Sequence, residues 1–361
     1  MPESSIVVRP QPMDSETYTA SSRLQAAGLA PAIAVFERAA AEVPLPHPPQ
    51  PIVLADYGAG SGHNSLLPLG AAIAVLRQRT SPDHSVLVAH TDTADNDFSA
   101  MFRTLEEDPD TYLRKDPATF ASAVGRSFYS QILPSNSVNL GWSSWAIQWL
   151  SHTPGEIAGH VHIADCDDEQ VRGAFARQAA HDWHEFVAFR GRELCPGGRL
   201  VVMTMGVGED GEIGFRPLLT AIDDALEELA GDKLIEADEL SRMCVPTVAR
   251  READFTAPFA PSGRFERLEI EHLEVFDAAD RFWERYQKER NAEAFGKRWA
   301  AFARAAVFPA LLTALAEGPA DKRVEQLFDR LETGVAERMG ATPEQVQIPL
   351  AHVVLFKRPK S

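Results

Sequence analysis

The stretch "IVLADYGAGSGHNS", residues 52–65, decides the fold. An apolar run ends in an acid, Asp56, and glycines follow at positions 58, 60 and 62. Glycine has no Cβ, so its backbone can adopt positive φ and approach a bound molecule closely. The stretch therefore predicts a buried strand that ends in a nucleotide-binding turn.

The spacing of these glycines favours S-adenosylmethionine (SAM) over a dinucleotide. A dinucleotide fingerprint is GxGxxG, but His63 occupies the third glycine position and Gly62 comes one residue early. SAM has no pyrophosphate for a helix N-terminus to hold, and an acid such as Asp56 can reach its ammonium group directly or through water. We therefore expect Asp56, Gly58 and Gly60 to bind SAM.

A second acid follows the next predicted strand. In "SVLVAHTDTADNDF", residues 85–98, Asp92 comes directly after the apolar run. One carboxylate can accept charge-assisted hydrogen bonds from both ribose hydroxyls. The alternative is that Asp92, Asp95 and Asp97 form a solvated acidic loop. The glycine loop one strand–helix unit upstream favours the ribose role.

Apolar runs alternate with helical patterns along most of the chain, which predicts an α/β fold with a mainly parallel, Rossmann-like sheet. The helix predicted over Val171–Glu193 ends at "CPGG". Residues 1–206 and 300–361 are predicted to form the SAM-binding domain, and 207–299 a mainly helical cap. The predicted strands are Ile52–Asp56, Ser85–His90, Ser137–Trp142, Arg199–Gly206, Phe265–Phe276 and Ile348–Lys357.

Composition excludes several classes of partner. The formal charge of −17 would repel a nucleic-acid backbone. There is no apolar run of about 18 residues, so no membrane span is expected. The N-terminus lacks signal-peptide features and the three cysteines form no CxxC pair, which favours the cytoplasm. His181 and His184 lack the HExxH spacing, so no metal site is expected.

Further motifs occur in a familiar order. "YTASSRLQ" (residues 18–25) precedes the glycine loop, and "GRSFYSQILPSNSV" (125–138) and "WSSWAIQWLS" (142–151) follow it. A long helical stretch then leads into "CPGGRLVVMTMG", which ends at Gly206. The order, spacing and residue types resemble the SABATH family of methyltransferases, the salicylate, benzoate and theobromine enzymes.

The resemblance implies a SAM-binding Rossmann-like domain under a helical cap, and often a homodimer. It implies methyl transfer from SAM to a small carboxylic acid, which yields a methyl ester and S-adenosylhomocysteine. Gln25 and Trp149 would hold the carboxylate, and Gln148, Trp142 and Trp145 would line the substrate pocket. The residues placed around SAM are Ser22, Asp56, Asn64, Asp92, Thr93, Ser127 and Phe128.

Four residues depart from the family pattern. Thr93 stands where leucine is usual, and Gln148 replaces a residue that is often apolar. Trp142 and Trp145 stand where plant members commonly have histidine and tyrosine. The spacing of Trp142, Trp145 and Trp149 also fits a buried helical stripe. Beside a SAM site we favour a flat aromatic pocket for a planar, aryl or hydrophobic acid.

These residue types suit transfer to a carboxylate. A carboxylate with a pKa near ~4 is ionised at neutral pH and needs no general base, so positioning can supply much of the rate. The indole of Trp149 and the amide of Gln25 donate hydrogen bonds without forming an ion pair that would weaken the nucleophile.

Three other functions compete with this one. A nicotinamide-dependent oxidoreductase would need a true GxGxxG loop. A protein that binds SAM without turnover would not need Gln25 and Trp149. An N-methyltransferase or a phenol O-methyltransferase remains open, although a phenol with a pKa of about 10 would need a general base.

Overall fold

The structure, a computed structural model, describes Leu29 and residues 31–359. Its centre is a seven-stranded sheet in the order β3-β2-β1-β4-β5-β7-β6. Strand β7 runs antiparallel to both of its neighbours, and the other paired strands are parallel. The strands are β1 (Ile52–Tyr57), β2 (Val86–Asp92), β3 (Thr119–Gly125), β4 (Val138–Ser144), β5 (Leu194–Met205), β6 (Leu268–Asp277) and β7 (Pro349–Lys357).

Twelve helices are described in the same residues. Short 3₁₀ turns occur at Ile163–Asp165, Ala257–Phe259, Leu312–Ala314 and Gly318–Ala320. The helices are α1 (31–42), α2 (His63–Arg77), α3 (Phe98–Glu107), α4 (Tyr112–Lys115), α5 (Glu169–Glu193), α6 (Arg216–Gly231), α7 (Ala237–Arg242), α8 (Glu252–Thr256), α9 (Arg281–Glu289), α10 (Ala292–Ala306), α11 (Phe308–Leu311) and α12 (Val324–Ala341). None of these described helices is long and apolar enough to cross a membrane.

The order of the strands places a crevice above β1 and β4. Successive strands run outward on one side of β1 through β2 to β3, and then the chain crosses to β4 on the other side. Ligands of open α/β sheets bind at such a switch point, outside the carboxyl ends of the strands. The predicted α/β fold with a Rossmann-like sheet is confirmed.

A helical layer packs beside the sheet. Helix α12 lies against both α6 and α10. The approach of α10 to α12 requires glycine, because a Cβ at Gly296 would lie 2.0 Å from the carbonyl oxygen of Ala336. The division of the chain at 206/207 and 299/300 stays a prediction. Two elements pack with the region to which the prediction did not assign them. Strand β6 lies in the sheet, although it falls within 207–299, and α12 belongs to the helical layer, although it follows residue 299.

The six predicted strands are present, but one strand was missed. Strand β3 has the sequence "TFASAVG", with small residues and a Phe120 that is 55% exposed. Such an edge strand buries little apolar surface, so its pattern is weak. Its structure depends on parallel pairing with β2, which the local sequence does not reveal.

The end of α5 at Glu193 agrees with the prediction, but the start of β5 differs from it. Strand β5 begins at Leu194 and includes "CPGG", whereas the predicted strand began at Arg199. Val138 of β4 pairs with Leu194, but Leu140 pairs with Arg199, so the residues of β5 between Leu194 and Arg199 form a bulge. Gly197, with φ of +85°, permits the bulge.

His352 in β7 provides a test of the buried core. It is 1% exposed, its Nε2 has no hydrogen-bond partner in the described residues, and burial lowers its pKa from 6.5 to about 4. The charged groups that act on it are Glu274, His272 and Arg38. Below pH 6.5 the unfolded chain binds a proton at this position that the folded chain does not bind. The free energy of unfolding should therefore fall as the pH decreases towards 4.

We expect His352 to contribute about 2 kcal/mol to the loss of stability between pH 7 and pH 5. A His352→Gln variant should lose that share of the pH dependence, because glutamine does not titrate. Urea unfolding of both proteins at each pH measures the difference. Equal pH dependence in the two proteins would contradict the assignment.

Candidate active site

A cavity of about 320 Å³ opens at the carboxyl ends of β1, β2 and β4. One end, which we call the glycine end, is lined by residues 58–61 together with Asn64, Asp92 and Thr93. The other end, which we call the indole end, is lined by residues 144–146 and 148–151 and by residues of the helical layer. Because both ends belong to one cavity, two ligands bound there would meet.

Glycines shape the turn after β1. Gly58 has φ of +85°, and a Cβ there would lie 2.3 Å from the Cβ of Ala146. Only glycine therefore lets this turn pack against the indole end. Gly60 has φ of +54°, and a Cβ there would meet nothing within 4 Å. The space beside Gly60 is open for a ligand, which is a feature that a SAM site requires.

Asp92 stands at the end of β2 and faces the glycine end. Its Oδ2 accepts the backbone N–H of Gly60 at 2.7 Å, and its Oδ1 accepts the N–H of Thr93 at 2.7 Å. Burial raises the pKa of this carboxyl above its usual value, although the two backbone hydrogen bonds oppose the shift. Asn96 donates from Nδ2 to the carbonyl oxygen of Gly60 at 2.9 Å. Asp92 and Asn96 thus hold the glycine turn open beside the cavity.

Asn96 was missed at the sequence level. It lies in "TADND", a run that we interpreted through its acids, and its position four residues after Asp92 was the available signal. Asn64, Thr93, Ser127 and Phe128, which were predicted to contact SAM, all line the same cavity. Their individual roles stay predictions.

The loop that carries Ser127 and Phe128 is supported from below by α5. Arg190 donates to the carbonyl oxygens of Phe128 at 2.7 Å and Ser130 at 2.9 Å. Glu193 accepts the N–H groups of Ile132 and Leu133, and it pairs with Arg190. This buried ion pair is paired and hydrogen-bonded on both sides, which is how a buried charge is tolerated. It fixes the loop that forms one wall of the glycine end.

Asp56 does not lie where the sequence predicted. It is 1% exposed and is not part of the described cavity lining. Its Oδ2 is bonded to Nδ1 of His90 at 2.8 Å, and Nε2 of His90 is bonded to the hydroxyl of Tyr112 at 2.6 Å. A direct contact with SAM is therefore corrected, because Asp56 lies in a buried polar chain between β1 and β2, whereas a contact through water stays a prediction. The neighbouring strand supplied the partner, and the motif alone could not show it.

Trp142 is a second correction. It is 0% exposed, lies within β4 and packs on Phe36 of α1 with ring centroids 4.8 Å apart. It belongs to the core, because it precedes the end of the strand and α1 covers it. The strand ends at Ser144, so the three tryptophans do not form a helical stripe.

Trp145, Gln148 and Trp149 line the indole end. Trp145 has φ of +54°, a conformation that costs a bulky residue about 1–2 kcal/mol and is found most often at functional sites. Its buried Nε1 has no hydrogen-bond partner in the described residues. The Oε1 of Gln148 accepts a hydrogen bond from the Thr204 hydroxyl, 3.1 Å away, so Nε2 is the donor group that this side chain still has to offer. The segment 145–149 thus carries indole and amide N–H groups at the cavity wall, and the Nε1 of Trp145 is one for which the described residues supply no acceptor.

Trp149 is held from both sides. Its carbonyl oxygen accepts the Tyr129 hydroxyl at 2.6 Å, and its backbone forms a β-bridge with Thr247. Burial raises the pKa of Tyr129 well above its usual value, so this hydroxyl stays protonated. The backbone of Trp149 is therefore held by two separate segments. Its contact with substrate stays a prediction.

The remaining wall was not predicted from the sequence. Helices α6 and α10 contribute apolar side chains, and His162 contributes a neutral imidazole whose pKa burial lowers to about 4. No lysine or arginine occurs in the described lining. These residues carry no motif, and long-range packing brings them together. They are Met205, Phe215, Leu218, Leu219, Val245, Phe302 and Ala306, with His162.

Ser22 and Gln25 lie outside the described residues. Their predicted contacts with SAM and with the carboxylate stay predictions. Of the other predicted residues, all but Asp56 and Trp142 line the described part of the site.

Comparison with known proteins decides the family. A family model described as SAM dependent carboxyl methyltransferase matches residues 9–358. The chain belongs to this family. The SABATH resemblance, the use of SAM as the methyl donor and the assignment as an enzyme are thereby confirmed.

Two relatives of this carboxyl methyltransferase are plant enzymes. Salicylate carboxymethyltransferase of Clarkia breweri is 26% identical over 304 residues, which cover 80% of each protein. Gibberellic acid methyltransferase 1 of Arabidopsis thaliana is 28% identical over 280 residues, covering 71% of this chain and 73% of that protein. A structure of loganic acid methyltransferase with SAH matches with a TM-score of 0.75 and 22% identity, covering 97% of this chain and 99% of that one. The similarity to loganic acid methyltransferase supports the α/β methyltransferase fold.

The residues present fit SAM. The open space at Gly60 and the carboxylate of Asp92 lie at one end of the cavity, and the indoles of Trp145 and Trp149 line the other. The carboxyl methyltransferase therefore presents a place for the cofactor and a place for a small carboxylic acid in one cavity.

Proposed function

We propose that this enzyme converts a small aromatic or hydrophobic carboxylic acid to its methyl ester. One observation carries the proposal: the indole end combines apolar walls with neutral hydrogen-bond donors. Phe215, Leu219 and Phe302 offer apolar surface, while Trp145, Gln148 and Trp149 offer indole and amide N–H groups. An aryl or hydrophobic body with one carboxylate matches both features.

The chain acts on the carboxylate by holding it. Bound SAM supplies an electrophilic methyl group. Trp149, with the predicted help of Gln25, donates to one carboxylate oxygen and leaves the other free to react. Because these donors are neutral, the oxygen keeps its nucleophilic electron pair, and the apolar walls exclude water that would otherwise solvate it. Alignment of this kind can supply roughly 7–11 kcal/mol of the barrier.

His162 supports transfer to a carboxylate over transfer to a phenol. Its Nδ1 accepts the backbone N–H of Ala164 at 3.1 Å, so Nε2 carries the proton and points at Thr247. Neither nitrogen is free to remove a proton from a substrate. A carboxylic acid, which arrives ionised, needs no such base.

The test uses purified enzyme, methyl-labelled SAM and a pool of aryl, indolyl and aliphatic acids. We expect label in an organic extract, and we expect mild alkali to remove it, because methyl esters hydrolyse and methyl ethers and N-methyl groups do not. Label that survives alkali would indicate ether or N-methyl chemistry. Absence of label together with tight SAM binding would favour a protein that binds SAM without turnover.

Oligomeric state and location are separate parts of the proposal. The SABATH resemblance supports a homodimer, which sedimentation equilibrium would measure. The free thiols of Cys166, Cys195 and Cys244 suit a reducing compartment such as the cytoplasm.

A further inference from the structure

Thr247 ends a chain of hydrogen bonds at the wall of the cavity. The Ala164 N–H donates to Nδ1 of His162, and Nε2–H of His162 donates to Oγ1 of Thr247 at 3.0 Å. Burial lowers the pKa of His162 to about 4, so the imidazole is neutral and this direction of donation holds at neutral pH. The Thr247 oxygen therefore acts as an acceptor within the protein.

The hydrogen of that hydroxyl has no acceptor in the described residues. Thr247 is only 6% exposed, and it lines the cavity. Its oxygen already accepts a hydrogen bond from His162, so only the donor capacity of the hydroxyl is unused. With His162 donating to its oxygen, the hydroxyl still has its hydrogen to offer, and the cavity that Thr247 lines is the place where a ligand could accept it. Thr247 is thus a directed donor.

The position of Thr247 is fixed by two links. It forms a β-bridge with Trp149, so the two side chains project towards the same cavity. The neighbouring Val245 donates its N–H to the carbonyl oxygen of Val161 at 2.7 Å, which joins the segment to the one that carries His162. The donor and the histidine that directs it are therefore held as one unit.

A count of donors indicates which substrate atom Thr247 serves. Trp149 and Gln25 are predicted to donate to one carboxylate oxygen, which fills the two lone-pair sites of that oxygen. The other carboxylate oxygen must stay open to react. A further donor on a different segment then requires a different acceptor.

We propose that Thr247 donates to a second oxygen on the substrate, so that the enzyme selects acids that carry an ether or carbonyl oxygen away from the carboxylate. This inference rests on the proposed function and narrows its substrate class. Thr247 acts as a specificity-determining residue, and His162 acts as the residue that positions its hydrogen.

The test compares acids matched in shape. Benzoic, phenylacetic and cinnamic acids are each assayed with a methoxy group or an ethyl group at every ring position, and kcat/KM is measured for both members of each pair. Methoxy and ethyl have similar volume, and only methoxy offers an acceptor. We expect wild-type enzyme to prefer at least one methoxy acid over its ethyl analogue by about tenfold, the value of one neutral hydrogen bond.

In Thr247→Val, which keeps the shape and removes the hydroxyl, that preference should fall to about one. Thr247→Ser should retain the preference. Thr247→Ala should lose it, as Thr247→Val does, and it serves as the second variant if Thr247→Val does not fold. Thermal melting and SAM titration confirm that each variant is folded. No methoxy preference in the wild type, or an equal loss for both acids in Thr247→Val, would overturn the inference.

The two proposals fail in different ways. Ester formation without a methoxy preference would reject the role of Thr247 and leave the proposed function intact. A panel that yields no methyl ester from any acid would reject the proposed function and this inference with it.

Discussion

Replacing Asp92 by alanine should raise the Kd for SAM at least about a hundredfold, because two charge-assisted hydrogen bonds to the ribose would be lost. The carboxylate also accepts the N–H groups of Gly60 and Thr93, so its removal leaves two backbone donors without their partner. Isothermal titration of SAM into the variant measures the change.

Asp95→Ala is the matched control for Asp92→Ala. Asp95 lies in the same acidic loop but is exposed, so its removal tests whether general negative charge matters. We expect its Kd for SAM to remain close to that of the wild type. Unchanged affinity in Asp92→Ala, or equal losses in both variants, would mean that Asp92 does not bind the ribose.

Trp149→Phe should lower kcat about a hundredfold and leave SAM affinity nearly unchanged. Phenylalanine keeps an aromatic ring in the cavity wall and removes only the N–H that we expect to hold the carboxylate. A hydrogen bond to a charged group contributes about 1.5–3 kcal/mol, which corresponds to a loss of this size. Turnover at saturating acid and SAM, with SAM titration in parallel, separates the two effects.

Trp283→Phe is the control for the loss of an indole. Trp283 packs against Tyr286 on α9 and does not contribute to the described lining of the cavity. Its turnover and SAM affinity should match those of the wild type. A loss of SAM affinity in Trp149→Phe as large as its loss of turnover would rule out a role confined to the substrate.

Local patterns predicted the parts of the site that depend on local backbone. The glycines after β1 and the acid after β2 lie within short stretches, and their chemistry follows from backbone freedom and charge. Asp92 and Gly60 do face the cavity together, because parallel neighbouring strands end at the same edge of the sheet. The same reasoning did not foresee that Asp56 is bonded to His90 on the adjacent strand.

The sequence by itself determined the fold class, the cofactor and the family, because each depends on motifs whose residues are near one another in the chain. Only the tertiary structure decided which indoles reach the cavity. Phe36 of α1 covers Trp142, whereas Trp145 and Trp149 remain at the cavity wall.

The substrate wall was likewise decided by tertiary packing. His162 and Thr247 are 85 positions apart, and they meet because separate segments fold over the carboxyl ends of the strands. Burial then makes the histidine neutral and leaves the threonine hydrogen directed at the cavity. Neither property belongs to the residue type; each arises from desolvation and from a hydrogen-bond partner that only the folded chain supplies.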